Sequence, residues 1–167
     1  MIITFAMIVF GVLLDQVTKL LASAKLTSVA TYPLIENVLH LTYVENRGAA
    51  FGMLAEHRWV FMIFSTVAIA LMLVWLVREK PESLWLRISV AAIVAGGIGN
   101  MIDRVRLGYV VDFIDCRFID FYVFNVADSF VCVGCGMLIV GVLYAEIAEQ
   151  RRKKNEKTAE VSSDEDK

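Results

Sequence analysis

Long charge-free apolar stretches alternate with short polar ones along this chain, and the longest match the thickness of a lipid bilayer. Trp59 to Val77 holds no charged residue over 19 positions. At about 1.5 Å per residue a helix there reaches roughly 29 Å, the depth of a hydrocarbon core. Leu84 to Ile102 is broken only by Arg87 near its start, where a long side chain can snorkel to the interface. Phe124 to Ala145 carries Asn125 and Asp128 near its beginning, and Ile2 to about Ser23 is apolar except at Asp15, Gln16, Thr18 and Lys19. The pattern predicts four spans, at about 2–23, 59–77, 84–102 and 124–145. The first is read as a retained span, since it lacks a basic leader region and Asp15 follows directly on its apolar stretch.

Lys25 to Arg58 does not read as a span. Val38 to Val44 has the alternation and the β-branched and aromatic content of a strand, and Asn46-Arg47-Gly48 supplies a turn. The fold class expected is therefore an all-α membrane protein: a four-transmembrane-helix bundle with a small periplasmic or extracytoplasmic β element over about 28–55. The membrane domain covers 1–150. A basic-then-acidic tail over 151–167 is polar and free of aromatics, a composition that predicts disorder.

Charge fixes an orientation. Arg78 and Lys80 lie between spans two and three, and Arg151-Arg152-Lys153-Lys154 follow span four, so both clusters fall on one side. The positive-inside rule assigns that side, and both termini, to the cytoplasm. Asp15 and Lys19, Asn100, Asp103 and Arg104, and Asn125 and Asp128 then converge on the opposite end of the bundle. Ionisable groups at mid-membrane cost about 2.5–3.5 kcal/mol each on insertion scales, so several at one depth demand a reason.

Composition sharpens this picture. The chain is 58% hydrophobic with mean hydropathy +0.65, above the apolar share of soluble domains. Its net charge of −2 offers no basic footprint for nucleic acid, which is not an expected partner. Cys132 and Cys135 form a C-x-x-C inside the apolar run Phe130–Leu143, a poor setting for redox or metal chemistry. His40 and His57 stand far from any acid-rich motif, so no metal site and no cofactor are expected.

On a helix, Asn100, Asp103 and Arg104 share one face at i, i+3 and i+4. Asp112 sits in the strongly apolar Gly108–Ile114, where burial raises a carboxyl pKa. Two such carboxylates can share a proton, one acting as acid and the other as base on a water attacking an amide. Asp103–Arg104 reads equally well as an interfacial ion pair and Asp15–Lys19 as a structural intrahelical pair. Asp115 and Asp120 read as solvated loop carboxylates. A small proton-linked membrane transporter or channel is the rival, but its polar groups should recur through the membrane depth, and span two offers only Ser65 and Thr66.

Five motifs in order resemble the lipoprotein signal peptidases, the type II signal peptidases of bacteria. They are Asp15-Gln16-Val17-Thr18-Lys19; Asn46-Arg47-Gly48-Ala49-Ala50-Phe51-Gly52; Gly96-Gly97-Ile98-Gly99-Asn100-Met101-Ile102-Asp103-Arg104; Val110-Val111-Asp112-Phe113-Ile114; and Phe124-Asn125-Val126-Ala127-Asp128-Ser129. The resemblance implies an aspartic endopeptidase in the bacterial cytoplasmic (inner) membrane, multi-pass, with its active site toward the outer leaflet. It would cleave diacylglyceryl-modified prolipoproteins before the lipidated cysteine, with membrane lipids around it, acting as a monomer. Asp112 and Asp128 would form the catalytic dyad. Asp15, Lys19, Asn46, Gly48, Asn100, Asp103, Arg104, Asn125 and Ala127 would support it or hold substrate, with Asp103 a competitor of Asp112 for the catalytic role.

Overall fold

A computed structural model of the chain describes residues 1–48, 58–119 and 121–165. The chain runs through helix α1 (Ile2–Leu26), strands β1 (Thr31–Ile35) and β2 (Leu39–Asn46), and helices α2 (Arg58–Glu79) and α3 (Leu84–Arg106). Strand β3 (Val110–Cys116), a 3-10 turn (Arg117–Ile119) and helix α4 (Val126–Glu165) follow. Among the described residues, four helices are long and apolar enough to cross a membrane. This is a multi-pass membrane protein, mostly helical, with one small sheet.

α3 is the central helix, packed against α1, α2 and α4. Small residues permit the closeness: a Cβ at Gly96 would collide with the carbonyl oxygen of Ala127 in α4, and one at Gly99 would press on the Asp15 carboxylate. Away from the sheet, Ile8, Leu76, Val90, Ala91, Val94 and Ala95 form a buried core shared by α1, α2 and α3. The outward faces are lined by side chains such as Leu20, Phe64, Leu71 and Ile139, as lipid contact requires.

The sheet is antiparallel, in the order β1-β2-β3. Its core joins Val111 and Phe113 of β3 to Ala22 and Leu26 at the end of α1. Gly108, at φ 82, takes the left-handed conformation that turns the chain from α3 back into β3. Phe124 bridges Ile114 by backbone hydrogen bonds before α4 begins, so α4 starts at Val126 rather than at Phe124.

Three expectations are revised. Val110–Cys116 is a strand, making the β element three-stranded and partly built from the far side of the sequence. Asp115 is not a solvated loop carboxylate: it is buried in β3, accepting from Thr42 at 2.6 Å and Arg117 at 3.1 Å. Burial pushes its carboxyl up, but the Thr42 and Arg117 hydrogen bonds and the Arg117 charge outweigh it and hold the group below its ordinary value. The segment after Arg151 is helical to Glu165, not disordered. Lys, Glu, Gln and Ala favour helix, and Glu149 pairs with Lys153 at i, i+4. Residues 49–57 of the expected outer element, and Asp120, lie outside the described residues.

Candidate active site

Polar side chains from five elements meet at the end of the bundle that carries the sheet. α1 brings Asp15 and Lys19, α3 brings Asn100, Asp103 and Arg104, β2 ends in Asn46, β3 carries Asp112, and Asn125, Ala127 and Asp128 stand at the start of α4. Gly48 lies two residues beyond β2, its N–H donating to Asn46 Oδ1 at 3.1 Å. The structure thus brings together every residue that the sequence nominates.

Asn125 joins the two aspartates of interest. Its side-chain amide donates to Asp112 Oδ1 at 2.6 Å and to Asn100 Oδ1 at 3.2 Å. Its backbone N–H donates to Asp128 Oδ2 at 3.2 Å, and its own Oδ1 accepts the Asp128 N–H at 2.9 Å. Asn46 donates to the other Asp112 oxygen at 2.9 Å, and Asn100 donates to Asp128 Oδ1 at 2.7 Å. Each carboxylate therefore accepts on both oxygens. Asp112 and Asn125 are almost wholly buried.

The environment perturbs the Asp112 carboxyl. Burial is the largest cause that pushes its carboxyl up, to about 6, and the nearby Asp128 charge adds to it. Hydrogen bonds from Asn46 and Asn125 and the positive charge of Lys19 oppose the rise. A carboxyl that keeps its proton to that pH, facing a second carboxylate, has the two protonation states that general acid–base chemistry needs.

Asp103, ambiguous in sequence, is committed elsewhere. It pairs with Lys19 at 3.1 Å and accepts the Val111 N–H at 3.1 Å and a Gln16 amide hydrogen at 3.0 Å. Arg104 donates to the carbonyls of Asn100 and Gly48, both at 3.3 Å, and its charge faces Asp128, Asp112 and Asp103. At the rim, the Arg47 guanidinium lies 5.8 Å from the centre of the Tyr109 ring. Gln16 is the residue that sequence reasoning passed over. It also donates to Asp15 Oδ2 and to the Gly99 carbonyl, each at 3.2 Å. An amide beside Asp15 in an apolar helix was the available signal. The motif residues Ala49, Ala50, Phe51 and Gly52 lie outside the described residues.

Comparison with known proteins is consistent throughout. A family model described as signal peptidase (SPase) II matches residues 7–144. A lipoprotein signal peptidase of Caldanaerobacter subterraneus is 51% identical over 136 residues, covering 81% of this chain and 91% of the relative. One from Clostridioides difficile is 48% identical over 133 residues, covering 80% and 89%. A solved bacterial membrane enzyme superimposes with a TM-score of 0.79 at 31% identity, over 84% of this chain and 87% of that one.

Proposed function

Because the chain belongs to the signal peptidase II family, we propose that it removes the signal peptide from diacylglyceryl-modified prolipoproteins, as an aspartic endopeptidase cutting before the lipidated cysteine. Asp112 and Asp128 are the catalytic dyad in this reading. The observation that carries it is the Asn125 side chain and backbone touching both carboxylates at once, and burial, which pushes the Asp112 carboxyl up to about 6, fits the same reading.

One carboxylate takes a proton from water as the water oxygen bonds to the scissile carbonyl carbon. The protonated partner gives its proton to the amide nitrogen as the C–N bond breaks. A carboxylic acid on the signal peptide, which then releases its proton to water, and a free amine on the lipidated cysteine result, and the dyad ends with one proton, as it began. Asn46, Asn100 and Asn125 keep the two carboxylates oriented, and the Arg104 charge offsets theirs. Membership of a peptidase family sets aside the transporter reading.

The protein is placed by this proposal in the bacterial cytoplasmic membrane, termini inward and dyad toward the outer leaflet. A signal-peptide helix with a lipid-bearing end would bring its scissile bond to that depth. The test is the purified protein with a diacylglyceryl-modified prolipoprotein. The wild type should release the signal peptide, and folded Asp112→Asn and Asp128→Asn should each lose more than about 100-fold in rate. Absence of release by the wild type would defeat the substrate assignment, and near-normal turnover by either variant would defeat the dyad.

A further inference from the structure

Asp15 and Asp103 stand on different helices, yet they do the same thing. Asp15 Oδ1 accepts the backbone N–H of Ala127 at 2.9 Å, and Asp103 Oδ2 accepts that of Val111 at 3.1 Å. Ala127 immediately precedes Asp128, and Val111 immediately precedes Asp112. Both anchors converge on one ammonium: Lys19 Nζ lies 2.9 Å from Asp15 Oδ2 and 3.1 Å from Asp103 Oδ2. Its third contact is Asn100 Oδ1 at 2.8 Å, on the same side chain that donates to Asp128. A lysine has three N–H donors and no acceptor, and here all three are spent on the frame of the dyad. Lys19 is 3% exposed, which leaves it no surface for substrate.

We propose that Lys19 is a positioning residue that sets the separation and orientation of the dyad, by tying together the two carboxylates that each anchor the backbone one residue ahead of a catalytic aspartate. The inference rests on the assignment of Asp112 and Asp128 as that dyad. Without the ammonium, Asp15 and Asp103 become two buried carboxylates bridged, among the described residues, by the Gln16 amide. Buried charges stripped of their partner are costly, and the structure relieves the cost by moving them or taking up a proton. Either response shifts the anchors at Ala127 and Val111, which come from different elements, α4 and β3. The two aspartates then lose their mutual register although both remain present.

A purely structural lysine would behave differently. Its loss would lower the folded fraction and leave the surviving enzyme unchanged. Lys19 also acts on Asp112 through its charge, alongside Asp128 from α4 and Arg104 from α3, with Asn46 and Asn125 as hydrogen-bond donors. Removing that positive charge favours the protonated form of Asp112, so the alkaline limb of the pH profile should move upward.

The test uses Lys19→Met in the full-length protein, purified and shown to be folded. The expected result is a kcat lower by about 100-fold, an unchanged KM, and an alkaline limb at higher pH. A wild-type kcat, or a loss of activity with the limb unmoved, would overturn the proposal. If Lys19→Met does not fold, Asp15→Asn serves: its amide oxygen can still accept from Ala127, but the ion pair is gone. That variant should lose kcat at constant KM, and a wild-type kcat would again overturn the proposal. The dyad reading fails separately, if Asp112→Asn retains turnover. An inactive Asp112→Asn beside a fully active Lys19→Met would keep the dyad and discard the positioning role.

Discussion

Asn125 and Asp128 cap each other. The Asn125 Oδ1 accepts the Asp128 N–H at 2.9 Å while Asp128 Oδ2 accepts the Asn125 N–H at 3.2 Å. With α4 beginning at Val126, Asn125 is the N-cap and Asp128 the third helical residue, the reciprocal arrangement of a capping box. The local chemistry that starts a helix is thus also what holds one carboxylate against the other, because the Asn125 amide, free of capping duty, reaches Asp112 at 2.6 Å. Helix start and candidate chemistry are one feature.

Asn125→Ala should therefore have two separable effects. Loss of the cap costs about 1 kcal/mol of stability. Loss of the hydrogen bond that lowers the Asp112 pKa lets that value rise further, so the alkaline limb of the activity profile should move up. Thermal denaturation and the pH dependence of kcat/KM on the same preparation check both. A stable variant with an unmoved limb would show that Asn125 does not tune Asp112.

Asp112→Asn should cost activity but not stability at neutral pH. The Asp112 carboxyl has its pKa raised from 3.8 to about 6 in the folded protein. Its folded-state penalty is absent below the unfolded value, grows as pH rises through the interval, and is complete above the folded one. That penalty approaches about 3 kcal/mol. Asparagine removes it, though its single carbonyl oxygen now serves two donors, Asn46 and Asn125. Between pH 4 and pH 7 the variant should gain on the wild type by about 2–3 kcal/mol. Denaturation midpoints at the two pH values measure this, and a constant difference would show that Asp112 is not perturbed.

Gly96→Ala should disturb the site from behind. The added methyl group would collide with the Ala127 carbonyl, a backbone atom that cannot rotate away. α3 and α4 must part, at about 1–3 kcal/mol for overpacking. Ala127 also carries the N–H held by Asp15, so Asp128 moves with it. A lower denaturation midpoint together with a reduced kcat in the folded fraction is expected. Wild-type values of both would mean that the close approach is unimportant.

The helices were legible because a span is a one-dimensional property: apolar residues in a run of fixed length. The shared face of Asn100, Asp103 and Arg104 was legible for the same reason, as helical spacing is local. β3 was not. Val110-Val111-Asp112-Phe113-Ile114 reads as an apolar segment, and its strand character comes from pairing with β2, which lies across α2 and α3 in sequence. Asp115 was misjudged on the same ground, since its partner Thr42 sits on that distant strand. Asp103 was ambiguous because its engagement depends on Lys19 from α1 and on the Val111 N–H, neither of which spacing reveals. Composition misled on the tail, where the charged residues that suggested disorder are also good helix formers.

The orientation of the bundle makes the last prediction. Arg78 and Arg151 to Lys153 mark the end of the bundle opposite the sheet, where α2 finishes and α4 passes beyond its apolar stretch. Basic residues near span ends are retained on the cytoplasmic side, so the sheet and the dyad should face outward. Arg47 follows β2 beside the site and is largely exposed, whereas Glu79 ends α2 at the basic end. In a background with Cys116, Cys132 and Cys135 replaced, Arg47→Cys should react with a membrane-impermeant thiol reagent on intact cells, or on cells whose outer membrane has been permeabilised. Glu79→Cys should react only after the cytoplasmic membrane is opened. The reverse pattern would put the dyad on the cytoplasmic face, where a signal peptide bearing its lipid in the outer leaflet could not present the scissile bond.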